Sequence, residues 1–386
     1  MRPRPFSLHS LSQKAFHLLP WLVFVGLLFY NLAFLFNSPS ILNSLSLGDF
    51  GSFVASGLAV KDGENPYGIY PLTSKARYQG IVEYFPNMNP PVSILIFDLL
   101  AVFEPAVALR IWTVLSFLFY LGGLILLYRN YHPDSIWFGW ALVLAGFWDT
   151  LALGQIYTLL FAILVVAWMC LRSHHETAAG ILIGILVAIK PNLLLWPVLL
   201  FLAGYRRPAI WGFATTLALS ILPIFRYGTQ VYLQWFEVVS QASWISMPHY
   251  LSLFGVAARF DIPWLGPVLA LVLLIFVTWW AWKYRPDTLA TSEIALIASI
   301  LASPLATPRF TLFLVPFFFM EYQDARRKLP AALFLFPTSL IIWLGFQSQP
   351  LRLFVGLIYP FALSLLLLRT MGKLINQRRL TIKRTV

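Results

Sequence analysis

The stretch Ala178–Arg207, AAGILIGILVAIKPNLLLWPVLLFLAGYRR, decides what kind of chain this is. Two apolar runs, Ala178–Ile189 and Leu193–Ala203, meet at Lys190-Pro191-Asn192, and the second ends on Arg206-Arg207. Proline has no backbone N–H and disfavours helix in the residue before it, so the runs are two arms of a hairpin rather than one helix. Each arm is about 20 Å long at 1.5 Å per residue, short of the ~30 Å core of a bilayer. Both arms lead back to basic turns, at Arg172 and Arg206-Arg207. The tip is therefore expected below the far interface, facing a cavity. A lysine there costs several kcal/mol unless an anion meets it. The expected partners are a lipid phosphate or an internal carboxylate, Asp149 or Asp49. Snorkelling to the headgroups is the alternative.

Composition outside the hairpin agrees with a membrane setting. Of 386 residues, 59% are hydrophobic and only 11% charged, against about a quarter charged in soluble chains. Mean hydropathy is +0.77. So little charge cannot coat a water-facing surface, and a soluble fold is excluded. The lone cysteine, Cys170, excludes a disulfide framework and a cysteine-based zinc site within the chain. A net charge of +12 would suggest nucleic acid in a soluble protein. Here it reads as the basic loops of a polytopic membrane protein, with no nucleic-acid partner.

Apolar segments that meet or approach spanning length are His17–Phe36, Val107–Tyr128, Ile136–Trp148, Gln155–Leu171, Pro208–Phe225, Pro263–Trp282, Leu289–Ala302, Phe310–Met320, Pro330–Phe346 and Leu353–Leu368, besides the two hairpin arms. Pro90–Phe103 is short and opens on a double proline. In lipid a helix satisfies its own backbone, so the fold is expected to be all-α, one integral membrane domain over 1–386 with eleven to thirteen crossings. The stretches Arg2/Arg4/Lys14, Arg129, Arg172, Arg206-Arg207, Lys283/Arg285, Arg326-Arg327-Lys328 and the tail 369–386 hold 18 of the 27 basic residues. Their alternation puts both termini in the cytoplasm, provided that Pro90–Phe103 enters and returns or another short segment fails to cross. Met1–Lys14 with the first apolar run reads as a signal anchor, since no small-x-small cleavage site follows. Two long loops, 37–89 and 226–262, then lie outside, and long loops tend to be functional. Within the second, YLQWFEVVSQASW has the pattern of a helix lying on the membrane surface.

Ionisable groups at membrane depth are the candidates for function. Asp49 precedes Phe50, Phe53, Val54, Leu58 and Ala59, the pattern of a short amphipathic helix. It is either that helix's cap or first-turn residue, or a carboxylate base at the water–lipid boundary. Arg309, at the mouth of a short apolar segment between Pro304 and Pro308, falls on the same side as Lys190. Gln155 and Asp149 sit where one helix turns into the next. Asn89-Pro90-Pro91 and Asn65-Pro66-Tyr67 are turn sequences that put Asn89 and Tyr67 on that side too. His174-His175-Glu176 is a solvated turn rather than a metal cluster, and His249 stands alone among aromatic residues. No phosphate-cradling glycine loop or nucleophile elbow is present. No closely spaced pair of acids marks a metal site in the outer loops.

Together these stretches resemble a known family. GDFGSFVASGLAVKDGENPYGIY (Gly48–Tyr70), YFPNMNPPVSILIFDLLAVFEPAVALRIW (Tyr84–Trp112), LALGQIYTLLFAILVVAWM (Leu151–Met169), the Lys190-Pro191 hairpin and ASPLATPRFTLFLVPF (Ala302–Phe317) are similar, in this order, to the membrane glycosyltransferases of family 87, of the GT-C class. The resemblance implies transfer of a hexose, mannose above all, from a polyprenyl-phosphate donor to a glycan or glycolipid acceptor at the outer face of a bacterial plasma membrane. Asp49 matches the family's acidic base, and Gln155 and Lys190 its GQ and KP positions. Arg309, Asn89 and Tyr67 complete the expected donor-binding group. No cofactor or metal is implied, because Asp49-Phe50 lacks the paired acids of metal-dependent relatives. One departure stands out: where the family often reads Ser-Pro-His, this chain has Ser303-Pro304-Leu305. A transporter or lipid-linked-sugar flippase is the competing class, for which a buried lysine between broken helices would mark a midplane site. A non-catalytic scaffold is the third.

Overall fold

A backbone in lipid has no water to bond to, and the structure meets that constraint almost wholly with helices. It is a computed structural model describing residues 8–37, 47–78, 81–241 and 247–385. The first part runs α1 (Leu8–Asn37), α2 (Asp49–Lys61), strands β1 (Ser74–Tyr78) and β2 (Ile81–Phe85), α3 (Val92–Leu100), α4 (Pro105–Tyr131), α5 (Ser135–Leu142), α6 (Ala145–Leu153) and α7 (Tyr157–Arg172). The hairpin follows as α8 (Glu176–Ile189), a 3-10 turn Pro191–Leu194 and α9 (Leu195–Ala203). Then come α10 (Arg206–Tyr227), α11 (Gln230–Ser240), α12 (Leu253–Arg259), α13 (Leu265–Tyr284) and α14 (Thr288–Ala302). A 3-10 segment Pro308–Leu314 leads into α15 (Val315–Met320), followed by α16 (Lys328–Leu333), α17 (Thr338–Gly345) and α18 (Gln349–Thr385).

The protein is a polytopic all-α membrane protein. Six helical segments are long and apolar enough to cross a membrane, or seven if the bent pair Ala325–Leu333 and Thr338–Gly345 is one span. Five shorter apolar helices supply the other segments expected from the sequence: Tyr157–Arg172, Glu176–Ile189, Pro191–Ala203, Thr288–Ala302 and Pro308–Met320. Large apolar side chains such as Leu22, Phe29, Phe225, Leu271, Phe354 and Leu368 point outward. A water-soluble surface does not carry so much apolar area, whereas lipid tails welcome it. The packed centre holds Trp168, Trp196, Phe313 and Phe317, from α7, α9, the 3-10 segment and α15.

The structure corrects several expectations. In Pro90–Phe103, for which re-entry and crossing were both open, only Val92–Leu100 is helical, about 14 Å long, too short to span, and it packs on α2. The run Ile136–Trp148 breaks at Val143-Leu144 into α5 and α6. Pro330–Phe346 is bent by 60° ahead of α17, where Pro337 occupies the cap position. The helix after Asp49 is not amphipathic. Residues Phe50–Gly57 and Ala59 are all buried, because α3 and α4 cover it on one side and the hairpin on another. The β1–β2 hairpin, inside the long loop 37–89, is a small departure from the all-α expectation; its strands pair antiparallel with Ser74 opposite Phe85. The Arg326-Arg327-Lys328 turn is not wholly solvated either, since Arg327 is buried. Residues 1–7, 38–46 and 242–246, with the anchor's Arg2 and Arg4 and the end of YLQWFEVVSQASW, lie outside the described residues.

Candidate functional site

Two glycines with left-handed backbones build the site. Gly48 (φ 58°) precedes Asp49 at the start of α2, and Gly154 (φ 64°) precedes Gln155 at the end of α6. Each packs against the other's segment. A Cβ on Gly48 would come within 3.1 Å of the Leu153 carbonyl oxygen, and one on Gly154 within 2.6 Å of the Phe50 Cβ. Any other residue would be strained by its φ and blocked by its neighbour. The Trp112 indole donates to the Gly154 carbonyl at 3.0 Å and fixes this junction. The residues after the two glycines then meet: the Gln155 amide donates to Asp49 Oδ2 at 2.6 Å.

Arg309 reaches the same carboxylate from the 3-10 segment that packs against α6. Its Nη1 lies 3.2 Å from Asp49 Oδ2 and its Nε 2.6 Å from Asp149 Oδ2. The Ser74 hydroxyl, on β1, donates to Asp49 Oδ1 at 3.3 Å. Asp49 is the first residue of α2, the first-turn place expected of it, but not its cap: Gly48 is the cap, no side-chain cap bond forms, and the carboxylate's bonds go to this cluster. Of the two carboxylates Asp49 is the more open, 21% exposed against 11% for Asp149.

Lys190 approaches from the hairpin tip. Pro191 ends α8 and starts the 3-10 turn, so the lysine stands between two helical segments with its amide still bonded to Leu186. Its ammonium donates to Asn89 Oδ1 at 2.7 Å and lies 4.7 Å from the Tyr157 ring centre. The expected carboxylate partner is absent. Asp149 and Asp49 go to Arg309, and among the described residues no carboxylate pairs with Lys190. Asn89 is held in turn by Asn87, whose Oδ1 accepts from its amide and side chain at 3.0 and 3.1 Å. The Tyr67 hydroxyl donates to the Asn89 carbonyl at 3.0 Å, and the Trp235 indole of α11 to that of Met88 at 3.1 Å.

Asp49, Asp149, Gln155, Lys190, Asn89 and Arg309 all line one open cavity of about 390 Å³. Sequence reasoning had named five of them as site residues, and the fold brings them together across up to 260 positions of chain. Tyr67 is the exception: it is buried, does not line the cavity, and meets the group only by its bond to the Asn89 carbonyl. Among the other residues that line the cavity are His249, noted in the sequence only as a lone histidine, and Thr307 and Thr338, which were not noted. Each carries a buried polar atom with no protein partner (Nδ1, Oγ1 and Oγ1), as does Gln155 at Oε1. Burial, then the nearby charges of Arg309 and Arg259, push the His249 imidazole down to about 3, so it is neutral. The sequence signal for His249 was weak, a lone histidine among aromatic residues. Hydroxyls of threonine carry none. Among the described residues no three His, Cys, Asp or Glu side chains gather as a metal ligand set.

Comparison with known proteins gives one finding. The family model of glycosyltransferase family 87 matches residues 87–308, more than half of the chain. Neither the curated proteins nor the solved structures compared with it contain a match.

Proposed function

The chain belongs to glycosyltransferase family 87, and from that premise we propose that it moves a hexose, mannose above all, from a polyprenyl-phosphate donor to a glycan or glycolipid acceptor. It is a membrane glycosyltransferase; the donor, the sugar, the acceptor and the side of the membrane belong to the proposal. The observation that carries it is the pairing across one cavity of a held carboxylate, Asp49, with a cation that no carboxylate neutralises, Lys190.

In this scheme the donor phosphate lies against the Lys190 ammonium, with the Arg309 guanidinium beside it. Asp49 takes the proton of an acceptor hydroxyl. The acceptor oxygen bonds to the anomeric carbon as the bond from that carbon to the phosphate oxygen breaks, and polyprenyl phosphate leaves with the electron pair. One displacement inverts the anomeric centre. Gln155 and Arg309 both bond to Oδ2 and hold the Asp49 carboxylate in place at the cavity wall. A positioned base contributes about 10²–10⁴-fold, and a fixed cation at the leaving phosphate about 10²–10³-fold. A metal-independent route is favoured because a guanidinium already bridges the two carboxylates. The site would face outside, with both termini in the cytoplasm and a bacterial plasma membrane as its home.

The test uses detergent-solubilised protein and polyprenyl-phosphate [³H]mannose with a glycolipid acceptor. A transferase labels the acceptor and releases polyprenyl phosphate with no vesicle present. Movement of label only between the leaflets of sealed vesicles, with no new glycosidic bond, would make the protein a transporter.

A further inference from the structure

The two oxygens of the Asp49 carboxylate have partners of different kinds. Oδ2 takes the Gln155 amide and the Arg309 guanidinium. Oδ1 takes the Ser74 hydroxyl, at 3.3 Å. A strong bond from O–H to a carboxylate measures about 2.5–2.7 Å, so this one is long and easily exchanged. It is also the same kind of bond, hydroxyl to carboxylate, that an acceptor makes before Asp49 can take its proton. Ser74 and Asp49 both line the open cavity.

Two consecutive residues of α2 fix the strand that carries this hydroxyl. A Cβ on Gly51 would overlap the Leu72 carbonyl oxygen, so α2 and the chain entering β1 touch backbone to backbone. Ser52, 2% exposed, closes the end of the hairpin. Ser74 and Phe85 stand opposite each other in the register. Between them the Ser52 hydroxyl accepts from Ser74 N at 2.8 Å and donates to the Phe85 carbonyl at 2.6 Å. Asp49 lies one turn before Ser52 on the same helix. The helix that carries the carboxylate therefore also sets the serine against it. A neutral hydroxyl at this distance adds little grip to a carboxylate already held by an amide and a guanidinium. What it does is occupy Oδ1.

We propose that Ser74 is a positioning residue that keeps the acceptor's place on Asp49: its hydroxyl covers Oδ1 while no acceptor is bound and gives way to an acceptor hydroxyl. The inference rests on Asp49 as the base of the transfer and adds what the serine is for, which is to keep water off that base. A water bonded to Oδ1 would give its proton to Asp49 and bond through its oxygen to the anomeric carbon. The bond from that carbon to the phosphate oxygen would break, and polyprenyl phosphate would leave with the electron pair. The products would be free hexose and polyprenyl phosphate, with nothing transferred.

The test supplies polyprenyl-phosphate mannose, tritiated in the sugar, to detergent-solubilised protein with and without a glycolipid acceptor, and measures free mannose and labelled glycolipid. Without acceptor, Ser74→Ala should release free mannose about 5–10-fold faster than the wild type, the scale of one hydrogen bond. With saturating acceptor its transfer rate should stay near the wild-type value. Ser74→Thr keeps a hydroxyl and should restore the wild-type ratio of free mannose to labelled glycolipid. Ser52→Ala keeps the Ser74 hydroxyl but frees both strand ends, and should raise that ratio as Ser74→Ala does. A serine that only supported the fold would lower both products together and leave the ratio alone. An unchanged ratio in Ser74→Ala, or one in Ser74→Thr as high as in Ser74→Ala, overturns the inference and leaves the donor reading intact. A wild type that forms neither product from any polyprenyl-phosphate hexose overturns the donor reading and this inference with it.

Discussion

Two buried charge clusters stand at opposite ends of α14, built on the same plan. Near one end Arg309 bridges Asp49 and Asp149. Near the other Arg327 bridges Glu293 and Glu321, with nitrogen–oxygen distances of 2.8 Å to each. The second cluster is closed. The Thr370 hydroxyl donates to Glu293 at 2.8 Å, Lys373 pairs with Glu321 at 2.7 Å, and the space beside them is about 30 Å³. The first opens onto about 390 Å³, and its extra cation rests on a neutral amide. A carboxylate–guanidinium–carboxylate bridge is therefore no mark of function by itself. What separates the two clusters is the open space beside the first and the cation there that no carboxylate neutralises.

That contrast can be broken or sharpened by substitution. Arg327→Met strands two buried carboxylates, a loss of about 3–5 kcal/mol. It should lower the melting temperature sharply, while turnover per folded molecule stays unchanged; a matching loss of turnover would erase the distinction. Lys190→Met removes a charge that no carboxylate neutralises. The melting temperature should hold or rise, and kcat/KM should fall about 10²-fold in the lipid-phosphate release assay. Gln155→Leu removes one of the bonds to Asp49 Oδ2 and should lower kcat roughly 10-fold with little change in KM, the scale of a hydrogen bond to a charged group. Tyr67→Phe removes a single neutral bond to the Asn89 carbonyl. It should cost about 1 kcal/mol or less in melting experiments and shift KM for the donor more than kcat.

The open cluster was much the more legible of the two in the sequence. Asp49, Gln155 and Lys190 each follow or precede a glycine or proline that breaks an apolar run, so hydropathy and turn chemistry find them. Their mutual contacts are another matter. Arg309 and Asp49 are 260 residues apart, and no local period records a pairing of that range. Glu293 is a single charge inside an apolar run, and Arg327 looks like one more member of a basic triplet that sets topology. Only the fold shows that the two neutralise each other. Spans were legible for the same reason as the site: long apolar runs stand out. The break at Val143-Leu144 was not, because a helix interrupted between two apolar residues leaves hydropathy unchanged. His249 stood out only as a lone histidine and the threonines not at all, because their place on the cavity wall exists only once the chain has folded.

The most direct test of the account sets Asp49→Asn beside Glu293→Gln and measures two quantities for each: transfer from polyprenyl-phosphate mannose per folded molecule, and melting temperature. Asp49→Asn leaves Arg309 paired with Asp149, so the account predicts a near-native melting temperature and a rate lower by about 10²–10⁴-fold. Glu293→Gln should show the reverse, a lower melting temperature with the rate kept. Near-normal transfer by Asp49→Asn, or an equal loss of rate in both, would contradict it.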